Sequence, residues 1–435
     1  MLSALFFFEV LSVKIKVIDK DITEVLRCER EKHRRPIKPN IFFRTLMKLI
    51  SLPDIMKTRF KCEKIGMDKL RKGESALYLM NHCSFIDLEI VATALYPKPF
   101  NIVTSTDAFV GKNWLLRHIG CIPTKKFVHD PSLVRDMMYA LKKLGSNVVL
   151  FPEAGYSYDG RATTLPKTLG KLIKMFGAPV VMIESHGAFL RDPLYNNLQV
   201  RKTPVSARME YILSPEDINE MTDEEINEVI YKNFSFDALR EQQEKKIKID
   251  EPTRAAYLER VLYKCPVCKA EGKMLAKGIE ITCTECGKKH ILTEFGALES
   301  PDGKPSFTHI PDWYAWEREE MRCEIERGEY SVSLPVDILM AIDNKRLFRV
   351  GEGTLVHNYD GFFLEGCDGK LSYHHKPLCS YSINADFNWY EIGDVISFGS
   401  HEALYYCFPK NGYPVAKARL AVEEIFKLRE NEMRE

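Results

Sequence analysis

Residues 75–87 read Ser75-Ala76-Leu77-Tyr78-Leu79-Met80-Asn81-His82-Cys83-Ser84-Phe85-Ile86-Asp87, an apolar run followed by a polar turn and the start of a helix. The uninterrupted run predicts a strand buried on both faces, and the spacing beyond it predicts a helix over 87–95. The same grammar recurs downstream. Residues 100–103, 148–151 and 179–183 are further short apolar strands, while 133–144, with Ser132 as N-cap, and 169–176 carry helical periodicity. Strands alternating with helices predict an α/β domain, a sheet with flanking helices, over 73–250. Its last part, 215–247, is charged and helix-prone and is expected to be a linking arm.

The chain has 435 residues, 45% hydrophobic and 11% aromatic, which excludes a largely disordered polypeptide and predicts two or three domains. With 62 Lys and Arg against 61 Asp and Glu, global basicity gives no argument for nucleic acid. No uncharged apolar run approaches a membrane span. The opening residues 1–8 are apolar but lack a basic start and meet Glu9, a poor signal peptide. They read as an upstream extension of a chain folded from about Lys14.

Residues 1–72 form a basic amphipathic region. Between 27 and 72 there are fifteen Lys and Arg against five Asp and Glu. Within it Ile41, Phe42, Thr45, Leu46 and Leu49 share one side of a predicted helix, with Arg44 and Lys48 on another. That pattern suits a helix lying in an anionic membrane interface and, equally, a surface helix packed on the domain behind it. At the other end, 305–435 is read as a β-rich domain with strand alternation from 330 to 409. One amphipathic helix over 415–429 closes it, suggesting a pleckstrin-homology-like arrangement.

His82 and Asp87 follow the first strand, where ligands collect in α/β sheets. Asp87 can fold back to hold the imidazole tautomer, or it can simply cap the following helix. A second segment, Phe151-Pro152-Glu153-Ala154-Gly155-Tyr156-Ser157-Tyr158-Asp159-Gly160, also follows an apolar strand. Together these blocks resemble the glycerolipid acyltransferase family, whose best known members are 1-acylglycerol-3-phosphate acyltransferases. Asn81 to Asp87 matches the family's Asn-His-x-Ser-x-x-Asp block. Phe151, Pro152, Glu153, Ser157, Asp159 and Gly160 match its Phe-Pro-Glu-Gly-Thr-Arg-Ser block and the Asp-Gly beyond. Gly120-Cys121-Ile122 with Lys126 resembles a second block, Lys167 the lysine after block three, and Pro179-Val180-Val181 a fourth.

The resemblance implies an acyltransferase-type mixed sheet and direct transfer of a fatty acyl group, without an acyl-enzyme. The donor is acyl-CoA or acyl-carrier protein, and the acceptor is the hydroxyl of a lysophospholipid, foremost 1-acylglycerol-3-phosphate, in phospholipid biosynthesis. His82 is the expected general base and Asp87 its orienting partner. Glu153, Gly155, Ser157, Lys126, Lys125, Arg161 and Lys167 are the expected substrate-binding residues. Two positions depart from the family: its block-three Arg is Tyr156, and its block-two Arg is Lys126, a point charge without the bidentate fork. Lys125 and Arg161 are nearby cations able to compensate. Cys83 is a rival nucleophile, disfavoured because adjacent side chains generally diverge. Scattered cysteines without a secretion signal suit a reducing cytoplasm, and the basic helix suits a peripheral place at its membrane face. The alternative is a zinc-ribbon binding or scaffold protein whose acyltransferase-like domain is inactive.

Cys265-Pro266-Val267-Cys268 and Cys283-Thr284-Glu285-Cys286 are separated by fourteen residues within a region over 255–300. Two CxxC knuckles at this distance offer four thiolates for a closed, structural Zn²⁺ site. The remaining eight cysteines are scattered, and no disulfide framework is expected. Lys264, Lys269, Lys273, Lys277, Lys288 and Lys289 surround the knuckles without interleaved aromatics, so no nucleic acid partner is expected. His290 is read as a bystander.

Overall fold

A computed structural model describes residues 15–433; the apolar opening at 1–8 lies outside the described residues. Strand β1 (Val17–Asp19) precedes the basic helix Ile41–Lys57, which Asn40 caps by accepting from the Phe43 amide at 3.0 Å. The first sheet comprises β2 (Lys61–Ile65), β3 (Leu77–Met80), β4 (Phe100–Ser105), β5 (Cys121–Thr124), β6 (Asn147–Leu150), β7 (Val180–His186) and β8 (Ser206–Leu213). Their order is β2-β8-β7-β3-β6-β4-β5. All neighbouring pairs are parallel except β7 and β8. This is a mixed α/β sheet. The central strand β3 is buried along its whole length, as its apolar run requires.

The structure redraws three expectations. The sheet begins before the boundary at 72/73, because β2, rich in lysine as exposed edge strands are, pairs with β8. The helix Pro131–Lys142 is capped by Asp130, not Ser132: Pro131 occupies the first helical position, and the Asp130 carboxylate accepts from the Ser132 amide at 2.8 Å. Residues 215–247 are no linking arm. They fold into the helices Pro215–Glu220, Asp223–Asn233 and Ala238–Glu244, and Ile226, Ile230 and Phe234 are buried against the sheet's own helices. The apolar stripe at four-residue spacing was hidden among charges. Gly170 lets the helix Leu169–Phe176 approach this segment, since a Cβ there would lie 2.1 Å from the Asp223 carbonyl oxygen.

A small antiparallel sheet, β9 (Met274–Lys277), β10 (Glu280–Cys283), β11 (Lys289–Leu292) and β12 (Leu298–Glu299), carries the cysteine knuckles. The helix Ile310–Glu326 backs it, with the buried Trp313 indole donating to the Lys264 carbonyl at 3.0 Å. The β-rich region follows: β13 (Ser331–Ala341), β14 (Leu347–Asn358), β15 (Gly361–Gly366), β16 (Leu371–His375), β17 (Asn384–Trp389), β18 (Gly393–Gly399) and β19 (Leu404–Pro409). Two antiparallel meanders, β13 to β16 and β17 to β19, join through β13 and β19, and β1 adds in parallel to β14.

The last helix, Val415–Glu432, closes the chain as expected but is buried all round from Val415 to Ile425 rather than amphipathic. Its charges are paired inside: Lys417 with Glu271 at 2.6 Å, Arg419 with Glu423 at 3.1 Å, and Arg318 with Glu423 at 2.7 Å. Among the described residues no helix is long and apolar enough to cross a membrane.

Candidate active site

Because β3 and β6 are hydrogen-bonded parallel neighbours, the loops leaving their carboxyl ends emerge side by side. Asp87 lies in the first turn of the helix Ile86–Ala94. Its Oδ2 accepts from the Cys83 amide at 2.9 Å, the Ser84 amide at 3.1 Å and His82 Nδ1 at 3.0 Å. The carboxylate therefore holds the turn and the imidazole together, so both expected roles coexist. With Nδ1 donating to Asp87, the other ring nitrogen, Nε2, is left as the acceptor. Burial pushes the His82 pKa below its ordinary 6.5, with nearby Lys126 adding to the fall and Asp87 opposing both. The ring is neutral at pH 7.

Aromatic neighbours fix the plane of that ring. It stacks between Phe151 at 4.1 Å and Tyr156 at 3.9 Å between centroids, with interplanar angles of 26° and 28°. Its peptide is held too. The His82 amide donates to Glu153 Oε1 at 2.9 Å, and its carbonyl accepts from the Ser157 amide at 3.0 Å. Glu153 Oε2 accepts from the amide and hydroxyl of Thr163 at 2.8 and 2.9 Å. Burial pushes the Glu153 carboxyl up to about 7 against these donors. Behind the turn, the Asn81 side chain clasps Ser185 at the end of β7. Ala154, in the place of the family's glycine, holds the left-handed φ of +55°.

Four expected substrate contacts need correction. Glu153, Gly155, Ser157 and Arg161 do not line the cavity beside His82. Glu153 is buried under the histidine with both oxygens engaged. Gly155 is buried against the Arg419 guanidinium, 3.9 Å from where its Cβ would be. Ser157 shapes its own turn, donating to the Arg161 carbonyl at 2.6 Å and accepting from the Gly160 amide at 2.9 Å. Arg161 turns away to Asp237 at 2.8 Å and Asp312 at 2.7 Å. Lys125, Lys126 and Lys167 do line the cavity, each held by the C-terminal region: Lys125 by the His401 carbonyl, Lys126 by Asn384 Oδ1 at 3.1 Å, and Lys167 by Glu430. Cys83 is buried, and burial together with Asp87 and Glu153 raises its thiol well above the ordinary range, so it is no thiolate nucleophile.

The cavity encloses about 940 Å³ and is open to solvent. One arm is apolar, lined by Ile102, Val103, Leu133, Met137, Leu165 and Leu169. The opposite wall comes from the C-terminal region through Asp386, Phe387, Trp389, Tyr390 and Phe426. Sequence reading found none of these, nor Asp107 at the end of β4. No local pattern links position 386 to 82.

The four cysteine sulfurs of the small sheet lie within 4.8 Å of one another, with Cys265 to Cys286 at 3.6 Å and Cys268 to Cys283 at 3.7 Å. Disulfide sulfurs would lie about 2.05 Å apart. A tetrahedral ion with Zn–S bonds of about 2.3 Å requires sulfur separations of about 3.8 Å. The donor set fits a divalent soft metal. His290 is buried, accepts from the Ser306 amide and stays outside the cluster.

Residues 61–184 match the Acyltransferase family model. Among solved structures, the chain is similar to the 1-acyl-sn-glycerophosphate (LPA) acyltransferase PlsC from Thermotoga maritima. They are 14% identical, the match covers 56% of this chain and 94% of that one, and the TM-score is 0.39. The segment that begins on β2 and ends on β7, and that carries the aligned imidazole and carboxylate between them, is an acyltransferase-family domain.

Proposed function

We propose that the protein transfers a fatty acyl group from acyl-CoA or acyl-carrier protein to the hydroxyl of a lysophospholipid. His82 acts as general base, Asp87 orients it, and Glu153 positions its backbone. The observation that carries this reading is the His82–Asp87 hydrogen bond of 3.0 Å at the wall of a cavity with one apolar arm. An alcohol is a weak nucleophile at neutral pH. A neutral imidazole that removes its proton during attack supplies a factor of about 10² to 10⁴. The alkoxide oxygen bonds to the thioester carbonyl carbon, the C–S bond breaks, and the proton taken by Nε2 passes to the leaving thiolate. The apolar arm suits an acyl chain. The charge of the cavity decides whether 1-acylglycerol-3-phosphate is the acceptor.

The basic helix Ile41–Lys57 supports docking on an anionic membrane surface. Met47 and Ile55 pack inward while Ile41, Phe42, Leu49 and Met56 are exposed. The cysteine cluster supports one structural Zn²⁺ per chain, held by Cys265, Cys268, Cys283 and Cys286. Metal analysis should return one equivalent, lost together with thermal stability in Cys265→Ser.

The deciding experiment measures thiol release from acyl-CoA by the purified chain with and without lysophospholipids. Release that depends on a lysophospholipid, with matching diacyl product, supports the reading. No release in either case would favour the inactive scaffold.

A further inference from the structure

The polar end of the cavity is acidic where a phosphate pocket would be basic. Lys126 reaches it, but its ammonium donates to Asn384 and lies in the electrostatic range of two carboxylates, Asp107 and Asp386, that line the same cavity. The other cations expected to bind a phosphate are engaged by protein groups. Lys125 is bound by the His401 carbonyl, Lys167 by Glu430, and Arg161 points elsewhere into Asp237 and Asp312. The side chain stacked on the catalytic imidazole is the uncharged Tyr156.

Both carboxylates are built into the wall. Asp107 accepts from the Ser105 hydroxyl, and Asp386 accepts from the Phe387 amide at 2.8 Å. A phosphomonoester near Lys126 would bring close to two negative charges beside the Asp386 carboxylate, with Asp107 next to it, and like charges in a partly desolvated site repel strongly. A head group with no net charge meets no such penalty. The rings of Trp389 and Tyr390 beside Asp107 also suit an ammonium group.

We infer that the acceptor is a lysolipid whose head group carries no net negative charge, and that Asp386, with Asp107, selects it against phosphomonoesters; this rests on the acyl-transfer reading above. The β17 segment of the C-terminal region, distant in sequence from the catalytic blocks, is on this view the specificity element of the enzyme.

Burial pushes the Asp386 carboxyl up to about 6, with Lys126 opposing and Asp107 adding to the rise, so it is mostly ionised at pH 7.5.

The test uses the full chain, one acyl-CoA donor and mixed micelles carrying lysophosphatidylethanolamine, lysophosphatidylcholine, monoacylglycerol or lysophosphatidate. At least one net-neutral acceptor should exceed lysophosphatidate in kcat/KM by about tenfold or more at pH 7.5. Asp386→Asn should shrink that ratio by about fivefold or more, chiefly through a lower KM for lysophosphatidate. Asp386→Ser gives the same reading if the Asn variant folds poorly. A wild-type preference for lysophosphatidate, or a ratio unmoved by both variants, overturns the selectivity while leaving acyl transfer intact. Failure to acylate any of the four acceptors overturns both. Comparing the two zwitterionic lipids with monoacylglycerol identifies which neutral head group is preferred.

Discussion

The cavity has two walls made in opposite ways. On the sheet side, His82, Phe151 and Tyr156 come from two adjacent loops and Asp87 from the helix that follows the first, joined by the His82–Asp87 hydrogen bond and by ring stacking on the imidazole. On the far side, Asp386, Trp389 and Tyr390 come from a hairpin more than 200 residues away, held by contacts between regions: the Tyr158 hydroxyl to the Ala385 carbonyl, and Arg419 Nη1 to the Tyr156 carbonyl at 3.0 Å. On the proposed reading the first wall carries the reaction and the second the choice of substrate, so chemistry rests on two neighbouring strand ends and selectivity on a distant region of the chain.

The sharpest way to break the first wall is His82→Ala, expected to lower acyl transfer by about 10³-fold while the melting temperature hardly moves. An unaltered rate would remove His82 from the chemistry. Arg419→Met attacks the seam between the walls. It leaves Glu423 with Arg318 and the Ser382 hydroxyl and releases the Tyr156 carbonyl, so stability should fall by about 3 kcal/mol in denaturant titrations. Turnover should fall too, because the Tyr156 stack loosens. A loss below about 1 kcal/mol would show that the far wall is not fastened there.

Acidity gives a milder probe of the first wall. The base must be neutral, and burial lowers its pKa, so the acid limb of kcat/KM against pH should lie below 6.5. Asp87→Asn removes the partner that raises this pKa, so its limb should move further to acid while the rate falls. A limb at or above 6.5 in the wild type would contradict the burial of the imidazole. The smallest effect belongs to Ala154→Gly. Relief of a left-handed backbone worth about 1–2 kcal/mol, less the added freedom of glycine when unfolded, should raise stability by about 0.5 kcal/mol.

What could be read in the chain follows the same division. The strand at 77–80, the helix at 169–176 and the two catalytic loops were legible because each is a local pattern. Glu153 was legible as important but not as to its task, since its partners are backbone amides that carry no residue signature. The edge strand Lys61–Ile65 read as part of a basic region because exposed edges are charged for reasons unrelated to the core. The terminal helix read as amphipathic because a charge paired in the interior looks in sequence like one facing water. Asp107 and Asp386 left no trace at all.

Strand β1 has a consequence for the birth of the molecule. It lies against β14 of the distal region, with Asp19 and Arg349 meeting across a separation of 330 residues. On the ribosome its mate does not yet exist when it emerges. At about 5–20 residues per second, the leading segment waits roughly 15–65 s for something to pair with. Maturation of this protein therefore finishes from the tail backward, and a chain truncated before the last sheet would leave its own head unmoored.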